Sequence, residues 1–388
     1  MGYSTLKQLT LITSYFESPF YQDRAPYNEQ LFLKLKDHYD INIIRPIPWT
    51  DILKVKYNNI KLKNSKKLWN LIPIGYPVYF YIPKVGLVFN GLFYFLSIIT
   101  AFVKQRRMPD FIYTTWAYPD GYAAMLLSAI IQRSYILRVH GSDINDLAHR
   151  DLIKNKVLKV LKSAAYIISP SEDLKVKMTN LGVNEEKIKV VYSGVDKEIF
   201  YKTDKILSEN YLGLPNRKRI LYIGNFKEAK GVIDIIKAVD ILRNSNHDIQ
   251  LCMIGKGSAE TIMRSYIEEQ GLQKKVVIIG VVEHKKLAPW INASNCVCLP
   301  SYAEGVPNVL LEAMGCETNI VATRVGGIPE IVSNPESVLV EPGDINALAR
   351  KLETTLEYDK FVTLPAIELS SYDLIANRIS NYIECAIS

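Results

Sequence analysis

Short apolar runs rich in β-branched residues alternate along the chain with longer segments whose apolar positions have helical spacing. This alternation predicts βαβ units, and therefore parallel sheets covered by helices on both faces. The strands predicted in the first half are LTLIT (9–13), INIIRP (41–46), FIYTT (111–115), YILRVH (135–140), YIISP (166–170) and IKVVYSG (188–194).

The same pattern restarts after a polar segment at 197–216 and predicts a second doubly wound sheet. Its strands are RILYIG (219–224), IQLCMIG (249–255), VVIIG (276–280), CVCLP (296–300), NIVATR (319–324) and SVLVEP (337–342). A chain of 388 residues is also longer than one hydrophobic core usually supports. We therefore expect an α/β protein with two Rossmann-like domains, at 1–200 and 201–368, joined by a short hinge near 195–205. An amphipathic helix at 369–388 is expected to pack back on the first domain.

Three predicted strands of the second half end in glycine, at Gly224, Gly255 and Gly280. Any one of these glycines is explained by a tight turn. In an open parallel sheet, however, ligands bind beyond the carboxyl ends of the strands, which lie along one edge. The repetition therefore predicts a ligand site at that edge.

One apolar stretch, from Tyr76 to Val103, approaches the length of a membrane span. Proline, glycine, asparagine and lysine residues interrupt its first half. The uninterrupted part is short for a span, so we expect a helix that is buried in the protein or lies at a membrane interface.

Positive charge is concentrated in the first half of the chain. Residues 1–200 contain 27 Lys and Arg against 17 Asp and Glu, whereas residues 201–388 contain 20 against 23. Much of the excess lies in Lys54–Lys67, near Trp49, Tyr57 and Trp69. Two interpretations stay open: a solvated loop, or contact with an anionic membrane surface or a lipid-phosphate acceptor. No nucleic-acid-binding motif accompanies the charge, so a nucleic-acid partner is not expected.

The five cysteines lack the paired spacing of a disulfide framework or a zinc site. They are typical of buried thiols in a reducing compartment. The first residues read as a strand rather than a secretory signal. We expect a cytoplasmic protein, with peripheral attachment to the inner face of the cytoplasmic membrane as an open alternative.

Two carboxylates, Glu304 and Glu312, flank the predicted start of a helix. The free amides of that helix start, on Asn308, Val309 and Leu310, would present partial positive charge to a phosphate. Glu304 in the loop could then reach sugar hydroxyls on one side of the phosphate, and Glu312 could accept hydrogen bonds from a ribose diol on the other. The pattern indicates a nucleoside diphosphate sugar as the ligand, and a surface glutamate with a helix-capping interaction stays open as the structural alternative.

The segment EGVPNVLLEAMGCETNIVATRVGGIPEIV (304–332) resembles the signature of the family-4 glycosyltransferases, with its two glutamates separated by seven residues. Similar to the family as well are YIGNFKEAKGV (222–232), MIGKGS (253–258), WAYPDGYAA (116–124), LRVHGSDIN (137–145) and VVYSGVDKEIF (190–200). The resemblance implies a GT-B fold, two Rossmann-like domains facing a cleft. It implies transfer, with retention, of a sugar from a nucleotide sugar, UDP favoured, to a glycan or polyprenyl-linked acceptor in cell-surface polysaccharide biosynthesis. No metal or other cofactor is implied.

The resemblance also implies roles for individual residues. Lys230 would neutralise the donor diphosphate, Glu304 would bind the transferred sugar and Glu312 would hold the ribose. His140, in a turn shaped by Asp143, would approach the reacting sugar, so the expected catalytic residues are His140, Glu304 and Lys230. The donor site would be completed by Gly224, Asn225, Gly255, Val282, Gly305, Asn308 and Val309, with the nucleotide base near Gly280–Glu283.

The chain departs from the family pattern at Asn225, where many members have arginine. The departure removes a bidentate contact to the diphosphate. Among the neighbouring cations Lys227, Arg217 and Arg219, we favour Lys227 as the replacement.

The acceptor is expected at the first strand-to-helix loop and beside the His140 turn, with Tyr21, Asp23, Arg24 and Asp143 as its contacts. Asp143 and Asp146 leave a metal site open as a weaker reading. Two other functions also stay open: a GT-B epimerase or phosphorylase, or a catalytically degenerate scaffold subunit of a polysaccharide-assembly complex.

Overall fold

The computed structural model describes residues 6–16, 18, 26–57, 72–81, 86–104, 107–146, 148, 150–244, 248–357, 363 and 365–387. The chain divides into two compact units. The N-terminal unit comprises Met1–Tyr192 and Tyr372–Ser388, and the C-terminal unit comprises Ser193–Ser371. Tyr21, Asp23 and Arg24 lie outside the described residues, as do Lys61, Lys63, Lys66 and Lys67 and the side chains of Lys54 and Lys56.

The N-terminal unit is built on a parallel seven-stranded sheet in the order β4-β2-β1-β6-β7-β8-β9. Its strands are β1 (Gln8–Ile12), β2 (Asp40–Ile44), β4 (Ile74–Gly75), β6 (Phe111–Thr115), β7 (Tyr135–Arg138), β8 (Tyr166–Ser169) and β9 (Ile188–Val190), and β3 (Ile47–Pro48) pairs separately with β5 (Val78–Tyr79). Its helices are α1 (Pro26–Leu35), α2 (Trp49–Tyr57), α3 (Leu87–Phe102), α4 (Tyr122–Ile131), α5 (Ser142–Asn145), α6 (Asp151–Ser163), α7 (Glu172–Asn180) and the terminal helix α15 (Tyr372–Ile387).

Helices cover both faces of this sheet, so its central strands are apolar on both sides. On β1, Leu9 and Leu11 belong to one buried cluster and Ile12 to the other. The first cluster includes Ile375 and Ile379 of α15, and α15 packs on α1. Burial of its apolar side against the N-terminal sheet explains why the end of the chain belongs to this unit.

The C-terminal unit has a parallel six-stranded sheet in the order β12-β11-β10-β13-β14-β15. Its strands are β10 (Lys218–Ile223), β11 (Ile249–Ile254), β12 (Val276–Gly280), β13 (Cys296–Leu299), β14 (Asn319–Thr323) and β15 (Leu339–Val340). Its helices are α8 (Lys205–Leu212), α9 (Val232–Ile241), α10 (Glu260–Glu269), α11 (Leu287–Asn292), α12 (Asn308–Gly315), α13 (Pro335–Val338) and α14 (Ile345–Glu357). Numbered within the unit, the order is 3-2-1-4-5-6, the doubly wound arrangement of Rossmann folds.

Some segment boundaries in the structure differ from the expected ones. The chain passes into the C-terminal unit after Tyr192 rather than at residue 200, and it returns at Tyr372. The run at 337–342 is not one strand, because Pro335 starts a short helix that occupies its first positions and leaves only Leu339–Val340 to pair with β14. Proline supplies the φ angle of a first helical turn.

The apolar stretch after Tyr76 contains helix α3, which is buried on one side only. Tyr94 and Ile98 are fully buried, whereas Phe89, Leu92 and Leu96 are exposed. No helix among the described residues is long and apolar enough to cross a membrane.

None of the five cysteines, all of which are among the described residues, forms a disulfide. Cys252, Cys296, Cys298 and Cys316 are buried as expected, but Cys385 on α15 is exposed. Burial raises the pKa of Cys296 to about 12, so this thiol is unreactive.

Candidate active site

The C-terminal sheet reverses its winding between β10 and β13. β10 pairs with β11 on one side and with β13 on the other. Loops that leave the carboxyl ends of two such strands diverge, and ligands of open α/β sheets bind in the crevice between them. The loop after β10 carries Lys230, and the loop after β13 carries Glu304.

Lys230 and Glu304 meet directly at this point. Lys230 Nζ lies 2.6 Å from Glu304 Oε1, and Ser301 Oγ donates a 2.7 Å hydrogen bond to the same oxygen. The two side chains are 28% and 12% exposed, so both can be reached by a ligand. Lys230 and Glu304 are 74 residues apart in the chain. The structure thus brings into contact two side chains that were both expected to bind the sugar donor.

Further contacts tie these two loops to each other. The Tyr302 amide donates to the Ala229 carbonyl at 3.0 Å, and the Tyr302 hydroxyl donates to Asp234 on α9 at 2.8 Å. The sequence did not reveal Tyr302, because its partners Ala229 and Asp234 come from a distant segment. Ser301 lies only three residues from Glu304, and that spacing could have pointed to it. These contacts set the separation of Lys230 and Glu304 before any ligand arrives.

Gly326 supports the Glu304 loop from the other side. Its φ is +53°, and a Cβ atom there would run into the Glu304 carbonyl oxygen. The next amide, of Gly327, donates to the Gly305 carbonyl at 2.9 Å. Only glycine allows the backbone at 326 to come this close.

The loops after β10 and β11 are also joined. Phe226 donates its amide to the Lys256 carbonyl at 2.9 Å and accepts from the Ala259 amide at 2.9 Å. Gly255 has a φ of +148° and packs against the Gly224 carbonyl. Gly224 and Gly255 therefore shape the floor of the candidate site through their backbones.

The structure reduces the number of cations that could replace the family arginine at position 225. Arg219 is fully buried and pairs with Glu209 at 2.8 Å, so it is not available to a diphosphate. Arg217 pairs with Asp248 at 2.9 Å. Asn225 and Lys227 are exposed, as is Lys256, which no feature of the sequence had indicated. Lys227 and Lys256 remain as candidates.

Helix α12 begins at Asn308, with Pro307 as its N-cap. The first amides of a helix have no partner within it, which suits Asn308 and Val309 to an anion. The expectation that the Leu310 amide is also available to a phosphate was wrong. This amide donates to the Pro307 carbonyl at 3.1 Å, because the first turn is tight.

Glu312, one turn into α12, faces a histidine. His284 Nε2 lies 2.7 Å from Glu312 Oε1, and the two side chains are 18% and 10% exposed. His284 follows the segment in which Val282 and the nucleotide base were expected, where Val282 is partly exposed. Its contact with α12 was missed because no local spacing connects residues 284 and 312.

The N-terminal sheet has its own change of winding, between β1 and β6. Thr13 and Thr115 share a 2.5 Å hydrogen bond there. Asp120 accepts from the amide and, at 2.9 Å, the hydroxyl of Ser14, and from the Tyr94 hydroxyl at 2.6 Å. Burial raises the pKa of Asp120 to about 6.

His140 lies beyond β7 at the same edge. Burial, followed by the charge of Arg138, lowers the pKa of His140 to about 3, so the imidazole is neutral at physiological pH. Its Nε2 atom has no hydrogen-bond partner among the described residues. This nitrogen is suited to bonding a ligand hydroxyl.

Asp143 was expected both to shape this turn and to contact the acceptor, and the contacts that the structure shows belong to the first role. Its side chain is fully buried. Its oxygens accept from the His140 amide at 3.0 Å and the Ala117 amide at 3.2 Å. Burial raises its pKa to about 6. A carboxylate enclosed in this way positions His140 and Ala117.

Aromatic rings surround His140. Tyr15 and Trp116 stack with centroids 4.8 Å apart, Trp116 lies 5.7 Å from the imidazole, and Tyr27 lies 5.7 Å from it on another side. Trp116 has a φ of +77°, unusual for a bulky residue. Such strain is common at functional sites.

Comparisons with known proteins show the family of this chain. The family model described as Glycosyltransferase Family 4 matches residues 63–199, and the model described as Glycosyl transferases group 1 matches residues 206–363. Together they match well over half of the chain. This chain is a family-4 GT-B glycosyltransferase. A relative in Bacillus subtilis, named as the teichuronic acid biosynthesis glycosyltransferase TuaC, is 26% identical over 90% of this chain and 89% of its own.

Solved glycosyltransferase structures share the fold. Sucrose-phosphate synthase from Thermosynechococcus elongatus superposes with a TM-score of 0.74 at 18% identity, over 98% of this chain and 95% of that one. Anabaena HepE in complex with UDP superposes with a TM-score of 0.73 at 17% identity, over 98% and 100%. The prediction of two Rossmann-like domains of the GT-B type is confirmed.

Proposed function

We propose that this glycosyltransferase transfers a sugar, with retention, from a nucleoside diphosphate sugar to a glycan or polyprenyl-linked acceptor in polysaccharide biosynthesis. The observation that carries the proposal is the Lys230–Glu304 contact at the switch point of the C-terminal sheet. Similarity to TuaC supports the pathway class, and similarity to HepE, which binds UDP, supports UDP as the nucleotide.

Lys230 binds the donor diphosphate, and the amides of Asn308 and Val309 add partial positive charge at the same position. Glu304, with Gly305, binds the transferred sugar, and Glu312 binds the ribose. The Lys230–Glu304 ion pair supports this assignment because it keeps a cation and an acceptor of hydrogen bonds side by side, at a partly exposed position. When a phosphate arrives, the ammonium exchanges or shares its carboxylate partner.

The proposed reaction breaks the bond between the anomeric carbon and the diphosphate oxygen and forms a bond from that carbon to the acceptor hydroxyl oxygen on the same face. The acceptor proton passes to the departing diphosphate. Lys230 and the start of α12 stabilise the charge that develops on this leaving group, so we expect no need for a metal. Neutral His140 forms a hydrogen bond with a hydroxyl group of the reacting sugar.

The exposed side of α3 supports peripheral contact with an anionic membrane. Phe89, Leu92 and Leu96 follow helical spacing along this side and are each 43–57% exposed. Phe80 is also exposed, and its ring packs against that of Phe93 with centroids 5.6 Å apart. Lys104 and Arg107, after the helix, are exposed cations. Apolar side chains bordered by cations suit a membrane interface.

Slow hydrolysis of the donor tests the reaction without knowledge of the acceptor. With UDP-glucose and water as the acceptor, retention releases α-glucose first, which proton NMR distinguishes from the β anomer before mutarotation. We expect α-glucose, equal rates with and without EDTA, and loss of turnover in Glu304→Gln. The β anomer appearing first would contradict retention. An epimerase would instead change the sugar while it stays on the nucleotide, and a scaffold would turn over none of a panel of nucleotide sugars.

A further inference from the structure

His284 occupies a fixed position between β12 and α11. It starts a single tight turn, His284–Lys286, directly before α11. Its Nε2 atom is 2.7 Å from Glu312 Oε1. A carboxylate at neutral pH only accepts hydrogen bonds, so the proton of this bond is on Nε2.

The imidazole is itself held in place. Its ring packs against that of Phe200, with centroids 5.1 Å apart and planes inclined by 58°. Phe200 is buried, and its carbonyl lies against Gly315 at the end of α12. The packing restricts rotation of the histidine ring, which fixes the direction from which Nε2 meets Glu312.

Glu312 keeps further binding capacity after this contact. An ionised carboxylate has about four acceptor positions, and His284 uses one of them. A glutamate has three rotatable side-chain bonds, and ordering them when a ligand binds weakens affinity. A partner that fixes the carboxylate beforehand removes much of that loss.

We propose that His284 is a positioning residue that orients the Glu312 carboxylate toward the ribose diol of the donor nucleotide. The proposal rests on the proposed function, because it takes Glu312 as the group that binds the ribose. His284 acts through Glu312 and does not itself touch the nucleotide.

The test compares two nucleotides that differ only in the diol. Isothermal titration would measure binding of UDP and of 2′,3′-dideoxy-UDP to the parent chain and to His284→Leu and His284→Gln. We expect His284→Leu to bind UDP about tenfold more weakly, as for loss of a hydrogen bond to a charged group, and to bind the dideoxy nucleotide as the parent does. His284→Gln, whose amide also donates, should recover most of the UDP affinity.

Lys285→Leu is the matched control, because this lysine is exposed on the same turn and should leave both affinities unchanged. Thermal unfolding without ligand reports whether each variant is folded. Equal UDP binding by the parent and His284→Leu would overturn the inference alone, as would equal losses for the two nucleotides. Absence of UDP binding by the parent chain would overturn the proposed donor and this inference together.

Discussion

Asp143 shows how one buried carboxylate organises a loop. Its two oxygens hold the amides of His140 and Ala117, and burial raises its pKa from 3.8 to about 6. Between those pH values the folded chain keeps a proton that the unfolded chain has released. Its contribution to stability is therefore full below pH 4 and is lost as the pH rises through 6.

Replacement of this carboxyl should change the pH dependence of stability. We compare the free energy of unfolding of Asp143→Asn with that of the parent at each pH. This difference should move in favour of the variant as the pH rises from 4 to 7, by on the order of 1 kcal/mol for each unit of pKa shift removed. Urea unfolding at several pH values measures this difference. Asp146→Asn is the control, since Asp146 is exposed and pairs with Arg150 at the surface. A difference from the parent that is constant with pH would contradict the account.

At single residues, the sequence was informative where a side chain acts through its own loop. It singled out Lys230, Glu304 and Glu312, and the structure brings the first two into contact. It did not reveal His284 or the burial of Arg219, because each depends on a partner supplied by another element. Burial of a charged group in particular cannot be read from local spacing.

At the scale of elements, the candidate site consists of loops joined by backbone contacts. The Glu304 loop is held by the turn at Gly326, whose position allows no Cβ atom. The strands that these loops follow were predictable from their apolar runs, and most of their boundaries differ from the prediction by one or two residues. β15 was harder to predict because only three apolar residues, Val338–Val340, follow one another there, and the first of them belongs to the helical turn that precedes the strand.

Gly326→Ala should weaken donor binding through the backbone. Its matched control is Gly213→Ala, which has a similar positive φ of +65° but nothing within 4 Å of the added Cβ. Both variants should lose roughly 1–2 kcal/mol of stability from the left-handed conformation. Only Gly326→Ala should also reduce UDP affinity, by about tenfold or more, because the Glu304 loop must move. Equal UDP affinity in the two variants, measured by titration calorimetry, would argue against this role of the loop.

At the scale of the whole molecule, two Rossmann-like units carry different surfaces. The excess of basic residues lies in the first half of the chain, and so does the exposed apolar side of α3. The sequence predicted a helix there, but it could not say which side is buried, since apolar residues occur all around it.

Exposed α3 residues should determine attachment to membranes. The parent chain should sediment with phosphatidylglycerol vesicles, less so at high salt, and much less with phosphatidylcholine vesicles. Leu92→Asp combined with Leu96→Asp should reduce binding more than tenfold, since burying each leucine contributes roughly 1.5–3 kcal/mol. Ile262→Asp, at an equally exposed position on α10, should have no effect. Undiminished vesicle binding by the double variant would rule out this face.

The central claim is that Lys230 and its loop bind a nucleoside diphosphate. The most direct test is thermal unfolding in the presence of UDP, GDP or ADP, with and without magnesium. A nucleotide at 100 times its dissociation constant stabilises the folded chain by about 2.7 kcal/mol. We predict that UDP raises the melting temperature equally with and without magnesium, and that Lys230→Met loses most of the shift while Lys274→Met, at an exposed position, keeps it. No shift with any of the three nucleotides, or an undiminished shift in Lys230→Met, would contradict the account.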